Sequence, residues 1–317
     1  MRFLPDPEQR AFAASLNALL TGAGTPAVVR EWARGEHGSG RALWSRLAAA
    51  GVFALAVPEE YDGLGPRPVE LALAFVELGR HAVPGPLVET VTAAALLEDP
   101  GPVKRLVSGE SLATVAYGGP YALDGDAADL RLVLAPDGLY LAAAHGPVRA
   151  SLDPARRLTA LTPGTLLTSG PPPARALLLA RLTTAAQALG VGLALLDRTV
   201  TYVGQRTQFG VPVGSFQAVK HQLADVLVAL EFARPLLLGA ALTLDPADVA
   251  AAKVTACEAA YRAARTALQL HGAIGYTAEY DLSLWLAKAR ALRTAWGTPD
   301  ECRTTVLEGA LSGGRRG

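Results

Sequence analysis

The second half of the chain carries apolar residues at intervals of three, four or seven along three long stretches. The first stretch is marked by Leu182, Ala186, Leu189, Leu193, Leu196, Val200 and Val203. The second carries Leu223, Leu227, Leu230, Leu237 and Ala241, and the third carries Val254, Cys257, Tyr261, Ala264 and Leu268. Such spacings place each set on one face of an α-helix. Because long helices bury such faces against one another, residues 174–317 are predicted to form a four-helix-type bundle.

The segments before residue 174 have other periodicities. Residues 1–105 contain shorter helical patterns, such as "PEQRAFAASLNALL" and "PVELALAFVELGR". In residues 106–173, "LRLVLAPDGLYLAAA" is typical of a hairpin that turns at Pro136-Asp137-Gly138. Further strands are predicted for "SLATVAYG", "VRASLD" and "RLTAL". The predicted fold is mainly α with a small β domain: an N-terminal helical domain, a shortened middle β domain and a C-terminal helical bundle.

The composition narrows the classes of function. Lys and Arg total 29, as do Asp and Glu, so no net charge recruits nucleic acid or an anionic membrane. The cysteines, Cys257 and Cys302, lack metal-ligand spacing, and no metal site is predicted. The N-terminal "MRFLPDPEQR" has no apolar run typical of a secretory signal, and no uncharged apolar run reaches about 18 residues. We therefore expect a cytoplasmic protein without membrane or nucleic-acid partners.

A loop between the first two long helices combines residue types that bind nucleotides. Residues 206–225 read "RTQFGVPVGSFQAVKHQLAD". The guanidinium of Arg206 is suited to a bidentate contact with a phosphate. The rings of Phe209 or Phe216 are suited to packing against a ligand ring, and Gln217 to an adenine or ribose edge. The same composition is also typical of an ordinary interhelical loop, with core Phe residues and an Arg that caps a helix.

A second unusual stretch lies further along the chain, at residues 269–282, and reads "QLHGAIGYTAEYDL". Gln269 and His271 precede Gly272 and Gly275, and glycines at a helix end let the backbone approach a ligand closely. The alternative is a simple helix C-cap with Gly272 in a left-handed conformation. A single histidine such as His271 is also typical of a protein interior.

These two stretches, together with "LAAAGVFALAVPEEYDGLG" and "ELGRHAVPGP" near the N-terminus, resemble the acyl-CoA dehydrogenase family in order and spacing. The resemblance covers almost the whole chain and is weakest across the middle. It implies N-terminal helices, a middle β domain and a C-terminal four-helix bundle. It also implies FAD-dependent formation of an α,β-double bond in an acyl-CoA thioester, with the FAD lying across a subunit interface.

The resemblance further implies which residues contact this cofactor. The arginine of the first stretch contacts the FAD pyrophosphate, its Phe and Phe-Gln lie by the adenosine, and the glycine-containing turn reaches the same cofactor. The corresponding residues here are Arg206, Gln208, Phe209, Phe216, Gln217, Gln269, His271, Gly272 and Gly275. In the family such residues typically serve an FAD whose flavin ring rests in the neighbouring subunit.

The chain departs from the family where the catalytic base is expected. The common position is a Glu immediately before a Gly-Thr pair, and Trp296 stands there; an indole cannot accept a proton. The other position, near the start of the first bundle helix, falls at about Ala180 and Arg181. Asp300 and Glu301 lie one turn further on, an offset of roughly 5 Å, and are better interpreted as acids at a helix N-terminus. No catalytic residue is therefore predicted.

The middle region also departs from the family. The Thr-Glu-Pro-x-x-Gly-Ser-Asp signature that holds the flavin ring and acyl chain is absent where the chain reads "ESLATVAYGGPYALDGDAAD". The residues that would hold a flavin ring within this chain are thus missing. Those that would contact an FAD whose flavin ring lies in the neighbouring subunit are present. The chain resembles the short, base-less subunit of actinobacterial acyl-CoA dehydrogenases, including those acting on steroid side chains, which are α2β2 heterotetramers.

The leading hypothesis is therefore a subunit of a heteromeric acyl-CoA dehydrogenase, inactive alone, with Trp296 filling the vacated pocket. A partner subunit would carry the base, bind the acyl-CoA and pass electrons to an acceptor such as an electron-transfer flavoprotein. Two alternatives remain open. One is a complete homo-oligomeric enzyme that uses a displaced base such as Asp300 or Glu301; the other is a scaffold that binds no flavin.

Overall fold

A computed structural model describes residues 4–313, whose fold is mainly α with a small sheet, as predicted. The N-terminal helices are α1 (Pro7–Thr21), α2 (Thr25–Ala33), α3 (Gly38–Ala49), α4 (Pro68–Arg80), α5 (Leu87–Leu96) and α6 (Pro100–Val107). The sheet strands are β1 (Ala113–Tyr117), β2 (Tyr121–Leu123), β3 (Leu130–Ala135), β4 (Gly138–His145) and β5 (Leu158–Ser169).

The second half of the chain begins with the long helix α7 (Ala174–Gln205). It is followed by the short strands β6 (Thr207–Gln208) and β7 (Val211–Pro212), and then by α8 (Gln217–Thr243), α9 (Pro246–His271), α10 (Leu282–Leu292) and α11 (Pro299–Gly313). Short 3-10 helices occupy Val52–Ala56, Glu59–Tyr61, Val213–Ser215 and Gly272–Tyr276.

The five-stranded sheet has the order β1-β3-β4-β5-β2, with β1 parallel to β3 and the other pairs antiparallel. The predicted hairpin is confirmed, since β3 and β4 pair up to Ala135 and Gly138. The strand predicted for "VRASLD" is wrong, because only Arg149 forms an isolated bridge, to Leu158. The edge of β4 is instead occupied by β5, which is longer than "RLTAL" predicted.

Helix α7 packs directly against the backbones of two other helices. A β-carbon on Gly190 of α7 would overlap the carbonyl oxygen of Val76 in α4, and one on Gly79 of α4 would overlap the carbonyl oxygen of Gln187. Gly192 faces the other way, where an added β-carbon would lie 3.1 Å from Ala260 Cα of α9. The small residues therefore let the N-terminal helices and the bundle share one core around α7.

The predicted apolar faces of the bundle are buried along most of their length. Two of their members are exceptions: Val200 is 49% exposed and Leu227 is 46% exposed. Periodicity places residues on a face but does not show where the neighbouring helix ends. On α8 the exposed apolar side chains form a surface of Leu227, Val228, Phe232, Leu236 and Leu242.

Two bundle helices are more apolar than we expected from the lack of long uncharged apolar runs in the sequence. By length and composition alone, α7 and α8 could each cross a membrane, and α1 with α2 could together form a third, bent span. In α7, 83% of the most apolar window is buried within the protein, against 39% in α8. The apolar composition of α7 is thus explained by its central place in the core, whereas that of α8 includes its exposed surface.

A buried carboxyl group lies at the start of the turn after β2. Asp124 is fully buried, has a φ of 52°, and accepts a 3.2 Å hydrogen bond from the Arg157 backbone N–H through Oδ1. Burial raises the pKa of Asp124 to about 8, even though Trp32 and Arg156 oppose the shift. The folded protein therefore keeps a proton on this group at neutral pH, whereas the unfolded chain releases it at about pH 4.

We predict that Asp124→Asn makes the stability of the protein less sensitive to rising pH between about pH 4 and about pH 8. In the wild type the unfolded chain releases this proton above about pH 4 while the folded state keeps it until about pH 8, so the wild type loses stability relative to the variant across this window. Asn tolerates the positive φ and matches the shape of Asp. Urea unfolding across this window should show a difference in unfolding free energy that grows with pH and then levels off. A difference that is constant with pH would contradict the prediction.

Candidate functional site

The loop after α7 is a tight hairpin with an exposed aromatic tip. Its turn residues, Phe209 and Gly210, have φ angles of 55° and 79°. Positive φ at both central residues is typical of a type I′ turn, which normally takes Asn-Gly rather than Phe-Gly. Phe209 is 92% exposed, and its ring meets Phe216 edge-on with the centroids 6.3 Å apart. An exposed aromatic residue held in a strained conformation indicates a contact outside this chain.

The polar residues of this loop are also free to bind. Arg206, Gln208 and Gln217 are exposed, and none of their side chains has a hydrogen bond or ion pair within the described part of the chain. The Arg206 backbone is nevertheless well anchored, because its N–H donates to Tyr202 O at 2.9 Å and its carbonyl accepts from Val213 N at 2.7 Å. The side chains are therefore available on a fixed backbone, as a ligand-binding loop requires.

The end of α9 lies beside this hairpin. The ring of Tyr202, one turn before Arg206, stacks on His271 with the centroids 4.2 Å apart and the planes 19° apart. His271 is 4% exposed, and its Nδ1–H donates to Ala267 O at 2.8 Å. Burial lowers the pKa of His271, so the ring is neutral at neutral pH. The structure thus places His271 inside the protein, where it joins the two predicted motifs.

The other residues of the second motif shape the turn around His271. Gln269 and Gly272 are exposed, and Gly272 has φ 63° and ψ −137°, a conformation that favours glycine. Gly275 is buried, and an added β-carbon would lie 3.1 Å from His271 Cβ. Of the nine predicted FAD-contacting residues, all but His271 and Gly275 are exposed. The structure brings the two motifs together through Tyr202 and His271.

Trp296 is held in place on several sides. Its backbone has φ 58°, and its carbonyl accepts a 3.1 Å hydrogen bond from Arg181 Nε. Its indole Nε1–H donates to Glu89 Oε1 at 3.1 Å, and its ring stacks on Tyr117 with the centroids 5.7 Å apart and the planes 12° apart. The following carbonyl, of Gly297, accepts from the buried Lys253 Nζ at 2.7 Å.

A cleft of about 300 Å³ lies over this stacked pair. Its lining includes Glu89, Tyr117, Tyr121, Arg156, Arg181 and Trp296. Glu89 is 3% exposed, and its Oε2 has no hydrogen-bond partner among residues 4–311. Ala180 is fully buried in the core, whereas Arg181 beside it lines the cleft. Sequence analysis missed Glu89, although a lone acid within the apolar sequence of α5 was the available signal.

The two acids that follow Trp296 serve the start of α11. Glu301 Oε2 accepts from Thr298 N at 2.7 Å, and Glu301 N donates to Thr298 Oγ1 at 3.2 Å, which together form a capping box. The hydrogen bond from the Thr298 backbone N–H lowers the pKa of Glu301. The side chain of Asp300 is 95% exposed and pairs with Arg303 at 3.0 Å. A carboxylate with a lowered pKa, or one fully in water, is a weak general base.

Sequence comparison identifies the class of protein to which this fold and site belong. The acyl-CoA dehydrogenase N-terminal domain matches residues 6–100, and the acyl-CoA dehydrogenase C-terminal domain matches residues 173–311. The two matches leave the small sheet between them. The chain belongs to the acyl-CoA dehydrogenase family.

Its relatives include the acyl-CoA dehydrogenase IpdE2 of Mycolicibacterium smegmatis. The two are 33% identical over 301 residues, which cover 93% of this chain and 96% of the relative. Among solved structures, the ChsE4-ChsE5 complex from Mycobacterium tuberculosis contains a similar chain, with a TM-score of 0.85, 24% identity and coverage of 98% and 99%. A chain of the Tcur3481-Tcur3483 steroid ACAD G363A variant has a TM-score of 0.83 at 23% identity, with coverage of 97% and 99%. These structural likenesses show a shared fold.

We predict that Trp296→Phe destabilises the protein by about 1–3 kcal/mol. Phe keeps a ring against Tyr117 but removes the N–H group, so the buried Glu89 carboxylate loses its hydrogen bond. Urea denaturation would measure the difference. As a control, Glu89→Gln should recover part of this loss in the Trp296→Phe background, because a neutral amide is less costly to bury than an unpaired carboxylate. Equal stabilities of Trp296→Phe and wild type would contradict this role.

Proposed function

We propose that this chain is a flavin-sharing subunit of a heteromeric acyl-CoA dehydrogenase. It would contact the adenosine and pyrophosphate of an FAD whose flavin ring, together with the catalytic base and the acyl-CoA, belongs to a partner subunit. The observation that carries the proposal is the Phe209 hairpin, whose tip is 92% exposed beside an Arg206 without a partner in the described chain. As part of the family, the complex would form an α,β-double bond in an acyl-CoA thioester.

The exposed residues fit the adenosine half of FAD. Arg206 offers a planar set of N–H donors for the pyrophosphate, and Phe209 and Phe216 offer ring surface. Gln217 and Gln269 have the donors and acceptors that an adenine or ribose edge requires. An added β-carbon on Gly272 would meet nothing within 4 Å, so the backbone there is open to a ligand. His271 would hold this turn against Tyr202 rather than touch the cofactor.

The cleft beside Trp296 does not fit a flavin ring. Trp296 and Tyr117 stack on each other, and the remaining space of about 300 Å³ includes two arginines and two carboxylates in its lining. Trp296 is fixed by Glu89 and Arg181, so a flavin ring could take the place of its indole only by breaking these bonds. This supports the hypothesis that Trp296 fills the pocket that a catalytic subunit would use.

The proposed reaction also requires a base that this chain does not supply near the cleft. When bound, FAD would supply the hydride acceptor for this reaction, which also needs a carboxylate to remove the α-proton of the thioester. Glu89 is bonded to Trp296, Glu301 caps α11 and Asp300 pairs with Arg303. The residues of this chain would therefore bind and orient the cofactor, and the partner would move the proton.

The surface of the protein supports assembly with another subunit. The exposed apolar side chains of α8 (Leu227, Val228, Phe232, Leu236 and Leu242) are suited to burial against a neighbouring helix. A heterotetramer with two copies of each subunit, α2β2, would bury them, in keeping with the named two-component complexes that share this fold. We further propose a bulky, steroid-derived acyl-CoA as substrate, an electron-transfer flavoprotein as acceptor and the cytoplasm as location.

The absorption spectrum tests this function directly. We expect no flavin bands in this chain purified alone, and about one flavin per pair of unlike chains when it is co-expressed with its partner subunit. The product of the neighbouring gene is the first partner to test. Full flavin occupancy in the lone chain would overturn the proposal in favour of a complete homo-oligomeric enzyme. A stable complex without flavin would instead identify a scaffold.

We predict that Arg206→Glu lowers the flavin content of the complex by at least about tenfold, because a carboxylate repels the pyrophosphate that Arg206 would bind. Flavin absorbance per complex, measured after gel filtration, would show the loss. Arg105→Glu is a matched control, since this exposed arginine lies on α6 among the N-terminal helices. The assignment of Arg206 fails if both variants keep the wild-type flavin content.

A further inference from the structure

A second cleft, of about 430 Å³, lies between the N-terminal helices and the C-terminal half of α7. Its lining includes Arg80, Arg198, Tyr202, Gln205 and Tyr280. Its volume falls within the range of small-molecule sites, roughly 300–1,000 Å³. It shares no lining residue with the Trp296 cleft and includes none of the residues assigned above to FAD.

Arg198 is fixed on one wall of this cleft by an aromatic ring. Its guanidinium carbon lies 3.7 Å from the centroid of the Trp285 ring, a close cation–π contact. Trp285 is 1% exposed, and its Nε1–H donates to Arg80 O at 2.9 Å, so the platform itself cannot turn. The stacking leaves the guanidinium edge, where the N–H groups lie, free to bind.

The charge of Arg198 has no close counter-ion. No hydrogen bond or ion pair engages its side chain within the described residues, although burial lowers its pKa. Asp281 attracts Arg198 from a distance but is bonded to Arg30 at 2.9 Å. Arg198 is exposed, so its N–H groups are accessible to a ligand, and an oxyanion would form charge-assisted hydrogen bonds with them.

The rest of the lining is consistent with a site for an anion. Arg80 pairs with Asp197 at 3.1 Å, so the charges of Arg80, Asp197 and Arg198 sum to one positive charge. Half-buried His81 donates from Nε2 to Asn17 Oδ1 at 2.7 Å. Burial lowers the pKa of His81, and the charges of Arg80 and Arg198 lower it further. The positive potential of the two arginines therefore extends across the cleft to His81.

Two further side chains add hydrogen-bond donors without partners. Neither the hydroxyl of Tyr280 nor the amide of Gln205 has a hydrogen bond within the described part of the chain. Both line the same cleft as Arg198, and a hydroxyl, an amide and a guanidinium together match the oxygen atoms of a phosphate or carboxylate group.

We propose that this cleft binds the oxyanion group of a small molecule, a phosphate or a carboxylate, through Arg198, with Gln205 and Tyr280 as additional donors. The site is independent of the proposed FAD contacts.

Isothermal titration calorimetry of the full chain tests this proposal, with inorganic phosphate, acetate and ADP as probes at constant ionic strength. We expect at least one probe to bind, and Arg198→Gln to weaken that binding by about tenfold or more. Arg198→Lys should bind with intermediate affinity, since it keeps the charge without the planar donors. The control Arg105→Gln, on α6, should bind like wild type.

The relative affinities then identify the source of the oxyanion. ADP binding that is tighter than phosphate binding, is weakened in Arg198→Gln and is kept in Arg206→Glu indicates a nucleotide in this cleft. If acetate binds most tightly, the ligand is a carboxylate. If phosphate binds most tightly, the ligand is the free phosphate ion. The proposal is overturned if no probe binds, or if Arg198→Gln binds as wild type does. Thermal unfolding without ligand shows whether each variant is folded, so a loss of binding is not mistaken for a loss of structure.

A second readout separates this site from the function proposed above. Bound oxyanion should raise the pKa of His81, measured from the imidazole proton resonances, because it offsets the charge of the arginines. Arg198→Gln should leave the flavin content of the complex unchanged, and Arg206→Glu should leave the binding of phosphate and acetate unchanged. Loss of flavin in Arg198→Gln would show instead that the cleft is part of the FAD site.

Discussion

The close packing of α7 against α4 and α9 is the contact on which the rest of the structure depends. At Gly79, Gly190 and Gly192 the helices approach so closely that side chains are excluded. The middle of helix α7 is thereby fixed against both neighbours. Arg181 lies near its start, Arg198 further on and Arg206 just after its end, a span of roughly 37 Å at 1.5 Å per residue. One rigid element therefore sets the positions of the Trp296 cleft, the oxyanion cleft and the hairpin.

The two ends of α7 differ in how the polar groups around them are hydrogen-bonded. Near its start Arg181 bonds to the Trp296 carbonyl and the Trp296 indole bonds to Glu89 Oε1, while Glu89 Oε2 has no partner among residues 4–311. After its end, the Arg206 side chain has no hydrogen bond or ion pair within the described residues, and Phe209 is 92% exposed. Bonds within the chain hold Trp296 in place, whereas the exposed donors after α7 are accessible to a ligand. This asymmetry is the physical basis of our proposal that the chain is half of a shared site.

Much of the fold follows from local patterns. The helical periodicity of the C-terminal region and the turn at Pro136-Asp137 predicted elements that the structure confirms. The failures have a common cause. Nothing within "VRASLD" shows that β5 already pairs along β4, and nothing in the spacing of Val200 or Leu227 shows that no helix covers them. Each depends on a neighbour that is distant in sequence.

The sequence by itself determined most of the helices, the hairpin of β3 and β4, the family and the absence of a carboxylate before Gly297, because these depend on residue type and spacing. Only the tertiary structure decided where the side chains point. It turned His271 inward against Tyr202 and paired Trp296 with Glu89 across 207 positions of sequence. It also left Arg198 stacked on Trp285 without a hydrogen bond or ion pair among the described residues. Burial and hydrogen bonding are properties of a side chain's surroundings, and those surroundings form only when distant segments pack together.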